Sequence, residues 1–414
     1  MERETPYSTN FVARQPIFDS ALDTWGYLML FRNCAEAQCA VINDELEATA
    51  EVMATLPALT QGLPSEAKAM IRMPSKAIRE NLHASLSPGN TAMVMAQVSC
   101  SCHEDIQAVK NLKDNGYLLA VDGLAPNCET NDLVRLADIL VLDFARQSPE
   151  ELRSLALTAR RGGLTLMAKK VETESTMQLA RELGVTLFHG YFYQKPATES
   201  GRRIPASKAA RLRLFDVLQA EEPDFAKLAT AIEPDTAISF RLLNFLNTPH
   251  FSFARKVTSI RQAVVLAGWT QVRNWLRLIL ITDIAPTEKT NELVYLAAHR
   301  ARFLETLALA AGHTDSAPSF FLLGLFSVLD ALFDMPMRDV LKMVSLENNL
   351  VAALCGEDSP YSPWLSLVRT IENGEWDAMG HLAMGLKLPT GAVSTTYREA
   401  FNWADDFFSA AKLS

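Results

Sequence analysis

A parallel β/α barrel followed by an all-helical domain is the fold class this sequence predicts, and three observations carry it. Short apolar or β-branched runs recur through residues 11–190, stretches of helical periodicity lie between most of them, and after residue 196 no strand-like run follows. The chain of 414 residues is too long for one ordinary core, and its 49% apolar content is ample for two.

The strand-like runs are AMIRM (69–73), TAMVMAQV (91–98), YLLAVD (117–122), ILVLD (139–143), LTLMA (164–168) and VTLF (185–188). Between them HEDIQAVKNLKDNG (103–116), SPEELRSLALTARRGG (148–163) and ETESTMQLARELG (172–184) have helical periodicity and stop at glycine. Strand and helix in alternation imply parallel pairing. With residues 11–18 and 27–31 added the strands number about eight, which suits a closed barrel better than an open sheet.

The polar, Gly- and Pro-bearing segment ATESGRRIPASK (197–208) marks a boundary, giving a barrel domain at 1–198 and a helical domain at 199–414. The second half reads as helices: FAKLATAIEP (225–234), TAISFRLLNFLN (236–247), SIRQAVVLAG (259–268), QVRNWLRLILI (271–281), NELVYLAAHRARFLETLALAAG (291–312), PSFFLLGLFSVLDALF (318–333), MRDVLKMVSL (337–346) and TTYREAFNWADDFFSAAK (395–412). Phe320, Phe321, Leu325, Phe326 and Leu329 form an apolar stripe that reads as core.

Composition narrows the function classes. A net charge of −9 and the lack of any long basic run leave no electrostatic footprint for nucleic acid. The polar start MERETPYSTN and the lack of an eighteen-residue apolar run predict no signal peptide and no membrane span, hence a cytoplasmic protein. The six cysteines match no paired zinc spacing and read as packing residues.

In a parallel barrel the C-terminal strand ends converge on one face, and two runs end there in Asp122 and Asp143, with Glu172 soon after a third. Two hard cations facing a phosphodiester need more oxygen ligands than these three. The same acids could instead cap helices at strand-to-helix turns.

ARQPIFD (13–19) and GYLMLFR (26–32) resemble the opening of the EAL family of cyclic di-GMP phosphodiesterases, in which QPI precedes GYEALLR. The resemblance covers roughly residues 10–196 and implies a TIM-like barrel. It puts Leu28 where the family has its first glutamate, Arg72 at its asparagine, and Ala96 or Gln97 at the next glutamate. It further puts Gly123 at the second of two aspartates, Val141 at a lysine, Lys169 at another glutamate and His189 at a glutamine. Gln15, Arg32, Asp122, Asp143 and Glu172 are retained. A fixed cation beside a divalent site is repulsive by several kcal/mol, on the order expected at an effective dielectric of 20. Arg72 and Lys169 are therefore expected to pair with Asp122, Asp143 or Glu172.

The segment from Ile232 to Phe251, IEPDTAISFRLLNFLNTPHF, followed by KVTSIRQAVVLAGWTQVRNWL, resembles the HDOD domain through Pro234, Ser239, Leu242, Leu243, Asn247, Ser259, Ile260, Ala263 and Gly268. HDOD domains share the plan of HD phosphohydrolases, and the string GLFSVLD (324–330) places Ser327 and Val328 at the His-Asp positions, where neither is a useful ligand. FFLLGLFSVLDALFDMPM, IENGEW and YREAFNWADDF resemble the tail of proteins that fuse an EAL-like domain to HDOD.

The resemblance thus implies bacterial signal transduction related to cyclic di-GMP, touching motility or biofilm control, through protein partners. The substitutions lead to the expectation of a chain that is not an enzyme, with no catalytic residue, metal or cofactor. A metal-independent cyclic di-GMP receptor and a residual phosphodiesterase are the alternatives.

Overall fold

The computed structural model describes residues 9–34, 66–96, 103–125, 132–194, 215, 218, 265–284, 291–344 and 346–412. The chain divides into two compact units, residues 1–192 with 372–376, and residues 193–371 with 377–414.

The first unit is a closed barrel of strands β1 (Thr9–Phe18), β2 (Thr24–Cys34), β3 (Lys68–Arg72), β4 (Thr91–Ala96), β5 (Leu118–Asp122), β6 (Ile139–Asp143), β7 (Thr165–Lys169) and β8 (Leu187–His189), paired in chain order. Strands β2 to β8 pair in parallel, as the alternation with helices predicts. Strand β1 departs from that pattern and runs antiparallel to both neighbours. Only Asp19–Asp23 separates β1 from β2, too short for a crossover helix, so the two strands close as a hairpin. The turn is held by Asp19, whose Oδ1 accepts from the amides of Ala21 (2.8 Å) and Asp23 (3.0 Å). Gly26 of GYLMLFR has a structural reason of its own, since a Cβ there would lie 2.3 Å from the Lys68 carbonyl oxygen on β3.

Side chains alternate between two layers along each strand. Ile17, Met70, Ala92, Val94, Ala120, Ile139, Val141, Met167 and Leu187 fill the barrel interior. The opposite parity, including Ile71, Met93, Leu119, Leu140, Leu142, Leu166 and Phe188, packs outward into a second core together with helix residues such as Val109, Leu152 and Met177. The helices following β6 and β7, α1 (Pro149–Gly162) and α2 (Glu174–Glu182), begin with capping boxes at Ser148–Glu151 and Thr173–Thr176. Capping there falls to Ser148 and Thr173, so Asp143 and Glu172 are not the helix caps that one sequence reading allowed.

The described residues of the second unit form helices joined by turns, with no strand among them. It includes α3 (Trp269–Ile284), α4 (Asn291–Ala310), α5 (Ala317–Phe326), α6 (Leu329–Phe333) and α7 (Ala392–Lys412). The predicted runs at 225–234 and 236–247, and most of that at 259–268, lie outside the described residues, as do the HDOD-like positions from Pro234 to Ala263. The single run expected at 318–333 is divided, because the Ser327 hydroxyl bonds back to the Gly324 carbonyl (2.7 Å) and Val328 leaves helical geometry. The stripe of Phe320, Phe321, Leu325, Phe326 and Leu329 is buried in the core, none of it more than 4% exposed.

Helices α4 and α5 touch backbone to backbone at Gly324, where an added Cβ would lie 2.3 Å from the Ala301 nitrogen. No side chain rotation relieves that clash. Gly324→Ala is expected to destabilise the protein by about 2 kcal/mol or more, the upper part of the overpacking range. Gly380→Ala, at a helical position with open space around it, is expected to stabilise by roughly 0.5–1 kcal/mol. Denaturant unfolding of the two variants checks the pair, and equal effects would contradict the packing account.

Candidate functional site

One interior layer lies above the barrel core, at the C-terminal ends of the parallel strands. Residues two positions beyond core side chains share their parity: Arg72 follows Met70, Ala96 follows Val94, Asp122 follows Ala120, Asp143 follows Val141, Lys169 follows Met167 and His189 follows Leu187. Gln15 joins them from β1, two residues before Ile17. The strands therefore gather Gln15, Leu28, Arg72, Ala96, Asp122, Val141, Asp143, Lys169 and His189 in or just beneath one mouth. Glu172 is exposed in the turn before α2. Arg32 lies on β2 with its backbone opposite Phe11. Gln97 and the side chain of Arg32 lie outside the described residues.

Leu28 and Val141 are apolar where the family has polar groups, and both pack with the barrel's interior cluster. These replacements extend the core upward. Above it sit two buried carboxylates, Asp122 and Asp143, at 4% and 5% exposure. Lys169 Nζ lies 2.7 Å from both oxygens of Asp122 and 3.2 Å from Asp143 Oδ2, and so bridges them. Arg72 Nη2 donates to Asp122 Oδ2 at 2.9 Å. The pairing expected of Arg72 and Lys169 is thus made with Asp122 and Asp143.

Two further cations stand at the rim, Arg146 Nε at 4.0 Å and Lys170 Nζ at 3.9 Å from Asp143 Oδ2. Sequence reading missed both. The signal available was position, since each follows a strand-end residue of the mouth by one to three residues, where barrel loops carry function. Burial by itself would raise the Asp122 carboxyl, but the hydrogen bond and charge of Lys169, the Arg72 charge and the Gly123 amide outweigh it and hold it below the usual carboxylate range. That amide donates to Asp122 Oδ1 at 2.7 Å, so Gly123, with φ +71°, completes the aspartate's shell instead of adding a ligand.

His189 has a different role from the cations. Its Nε2 lies 2.7 Å from Gln15 Oε1, an acceptor, so Nε2 carries the hydrogen and Nδ1 is a bare acceptor with no partner. Gln15 Nε2 in turn donates to Tyr191 Oη (2.5 Å) and to the carbonyl of Glu372, which belongs to the same unit (2.6 Å). Burial first, and then the Lys169 charge, lower the His189 pKa to about 4. Tyr191, two residues after His189 in HGYFY, was not singled out in the sequence.

The residues present do not fit a pair of divalent cations. Among the described residues no three His, Cys, Asp or Glu side chains come together as metal ligands, and the space between the two acids is taken by an ammonium group. In the helical unit, Ser327 and Val328 are buried; Ser327 Oγ accepts from Arg300 Nη1 at 2.9 Å.

Comparison with known proteins places an HDOD domain at residues 204–338. The chain is similar to the uncharacterized protein YuxH of Bacillus subtilis, 28% identical over 408 residues, covering 97% of this chain and 99% of that one. It is equally similar to the cyclic di-GMP phosphodiesterase CdgJ of Vibrio cholerae, 28% identical over 411 residues, covering 97% of this chain and 94% of that one. The EAL-domain protein YkuI of Bacillus subtilis, solved with cyclic di-GMP and calcium, matches with a TM-score of 0.38 at 16% identity over 64% of this chain and 72% of that one.

The similarity to CdgJ overturns the expectation that the chain is not an enzyme. That expectation went from lost ligands to lost activity, and the step does not follow physically. Replaced carboxylates argue against one way of holding metal, not against turnover. Among the described residues no helix is long and apolar enough to cross a membrane.

His189 supplies a test of the mouth's electrostatics. It is held neutral down to about pH 4 in the folded chain and has an ordinary value of 6.5 otherwise. The unfolded chain therefore binds more protons below pH 6.5, and stability falls as pH drops from about 6.5 to about 4. His189→Gln is expected to remove up to roughly 3 kcal/mol of that fall. Denaturant unfolding of wild type and variant at several pH values in this window measures the difference, and parallel profiles would contradict the assignment.

Proposed function

We propose, for a chain that belongs to the two-domain family joining an EAL-type barrel to an HDOD domain, a role in cyclic di-GMP signalling in which the barrel mouth takes the dinucleotide by its phosphodiesters. The observation that carries this reading is the charge of the mouth. Among the described residues, Asp122 and Asp143 meet four cations, Arg72, Arg146, Lys169 and Lys170, which outnumber the two acids they pair with by two. A cyclic dinucleotide carries two negative charges, one on each phosphodiester. Lys169 is committed to the acids at the centre, while Arg72, Arg146 and Lys170 keep 63%, 81% and 46% of their side-chain surface exposed and can reach an anion.

Phosphodiesterase activity is a second reading, and it rests on the name of the Vibrio relative. The reading also includes a division of the chain at residues 198/199, a cytoplasmic setting, and protein partners through which the signal reaches motility or biofilm control. The surplus of charge at the mouth supports the ligand; the family supports the pathway.

Isothermal titration of the full chain with cyclic di-GMP, with and without Mg²⁺, tests the reading. Binding in the low micromolar range or tighter is expected, with roughly tenfold weakening in Arg72→Ala, about 1.4 kcal/mol, and further weakening as salt rises. Chromatography of the same samples for the linear dinucleotide tests turnover. The absence of both binding tighter than about 100 μM and linear product would sink the reading.

A further inference from the structure

We infer that the Lys169 ammonium is the resident counter-ion of the Asp122–Asp143 pair, a tethered cation in the place a divalent ion would otherwise take, so that the chain gains a divalent-cation site only when Lys169 is cut back. The disagreement between this mouth and a metal centre carries the inference.

Asp122 and Asp143 end neighbouring strands β5 and β6, and each is almost wholly shielded from water. Two carboxylates so placed repel each other, and a positive charge between them offsets that repulsion. Strand register supplies that charge, because Asp143 and Lys169 are directly paired across β6 and β7. The side chain of Lys169 rises beside both acids, reaching Asp122 with both oxygens at 2.7 Å and Asp143 at 3.2 Å. A hard divalent ion would need oxygen ligands at about 2.0–2.6 Å in the same space. The ammonium and the ion exclude each other by volume and by charge.

The groups around the pair reinforce the exclusion. Arg72 donates to Asp122 Oδ2, an oxygen it shares with Lys169, and Arg146 and Lys170 flank Asp143. His189, at the end of β8, spends its Nε2 on Gln15. Ala96, opposite Asp122 on β4, brings no ligand. Removing the Lys169 head group leaves both carboxylates without the charge between them, and a divalent ion that enters the same small volume then supplies what the ammonium supplied.

Titration of the full-length chain with Mn²⁺, followed by electron paramagnetic resonance and by calorimetry, tests the inference directly. Wild type and Lys169→Arg are expected to show no saturable site tighter than about 1 mM. Lys169→Ala and Lys169→Gln are expected to gain one site, at least about tenfold tighter than that, and to lose it again when Asp122→Asn is added. Thermal unfolding with and without Mn²⁺ gives a second readout, since an ion that binds only the folded variant raises its Tm. Saturable Mn²⁺ binding by wild type that Asp122→Asn or Asp143→Asn abolishes would overturn the inference. So would folded Lys169→Ala and Lys169→Gln proteins that gain no site. Should the alanine and glutamine variants remain unfolded even with Mn²⁺ present, an ion has failed to replace the ammonium, and the inference is again overturned.

Discussion

Lys169 Nζ, seated between Asp122 and Asp143, is the interaction on which the rest of the barrel mouth depends. Two nearly inaccessible carboxylates on adjacent strand ends are costly to bury as ions, and breaking a buried pair from one side typically costs about 3–5 kcal/mol. The lysine offsets that cost because strand register brings it level with Asp143 and its length lets it cross to Asp122. From that arrangement follow the depressed Asp122 carboxyl and the exposure of Arg72, Arg146 and Lys170 to solvent, and the lysine charge adds to burial in keeping His189 neutral.

The layers beneath and around this centre are consistent with it. Leu28 and Val141 belong to the barrel's apolar interior, so the floor of the mouth is hydrophobic where a ligand cluster would be polar. Above the floor the charges are paired. Asp122 and Asp143 are bridged by Lys169 from within, and Arg72, Arg146 and Lys170 approach them from the exposed side. A site built this way favours an anion through fixed positive charge, whose reach is set by salt. The similarity to a named phosphodiesterase across nearly the whole chain adds that replaced ligands are not evidence of inactivity.

Much of this was legible in the residues. Alternating runs and glycine stops gave the strands β3 to β8 and the helices between them, because burial on both faces of a parallel strand leaves a continuous apolar mark. The antiparallel entry of β1 was not legible from alternation alone; it follows from the five-residue separation at Asp19–Asp23. Position-by-position resemblance singled out Arg72, Lys169 and His189, and charge complementarity predicted their acids. Register decided which acid each met, which composition does not encode. Glu172 was grouped with Asp122 and Asp143 by spacing, yet the turn that follows β7 leaves it exposed. Arg146, Lys170 and the Gln15–His189–Tyr191 chain depend on loop geometry and on a contact across the β1–β8 seam, and neither leaves a periodic signal. The break at Ser327 likewise comes from one hydroxyl competing for a helix carbonyl.

The central claim concerns which cation sits between the two aspartates. A crystal structure of the full chain grown with Mn²⁺ and cyclic di-GMP, with anomalous scattering recorded at the manganese edge, measures it most directly. The account predicts the Lys169 ammonium between Asp122 and Asp143, phosphodiester oxygens against Arg72, and no anomalous peak within about 3 Å of either carboxylate. A manganese peak bound to both aspartates, with Lys169 displaced to solvent, would contradict it.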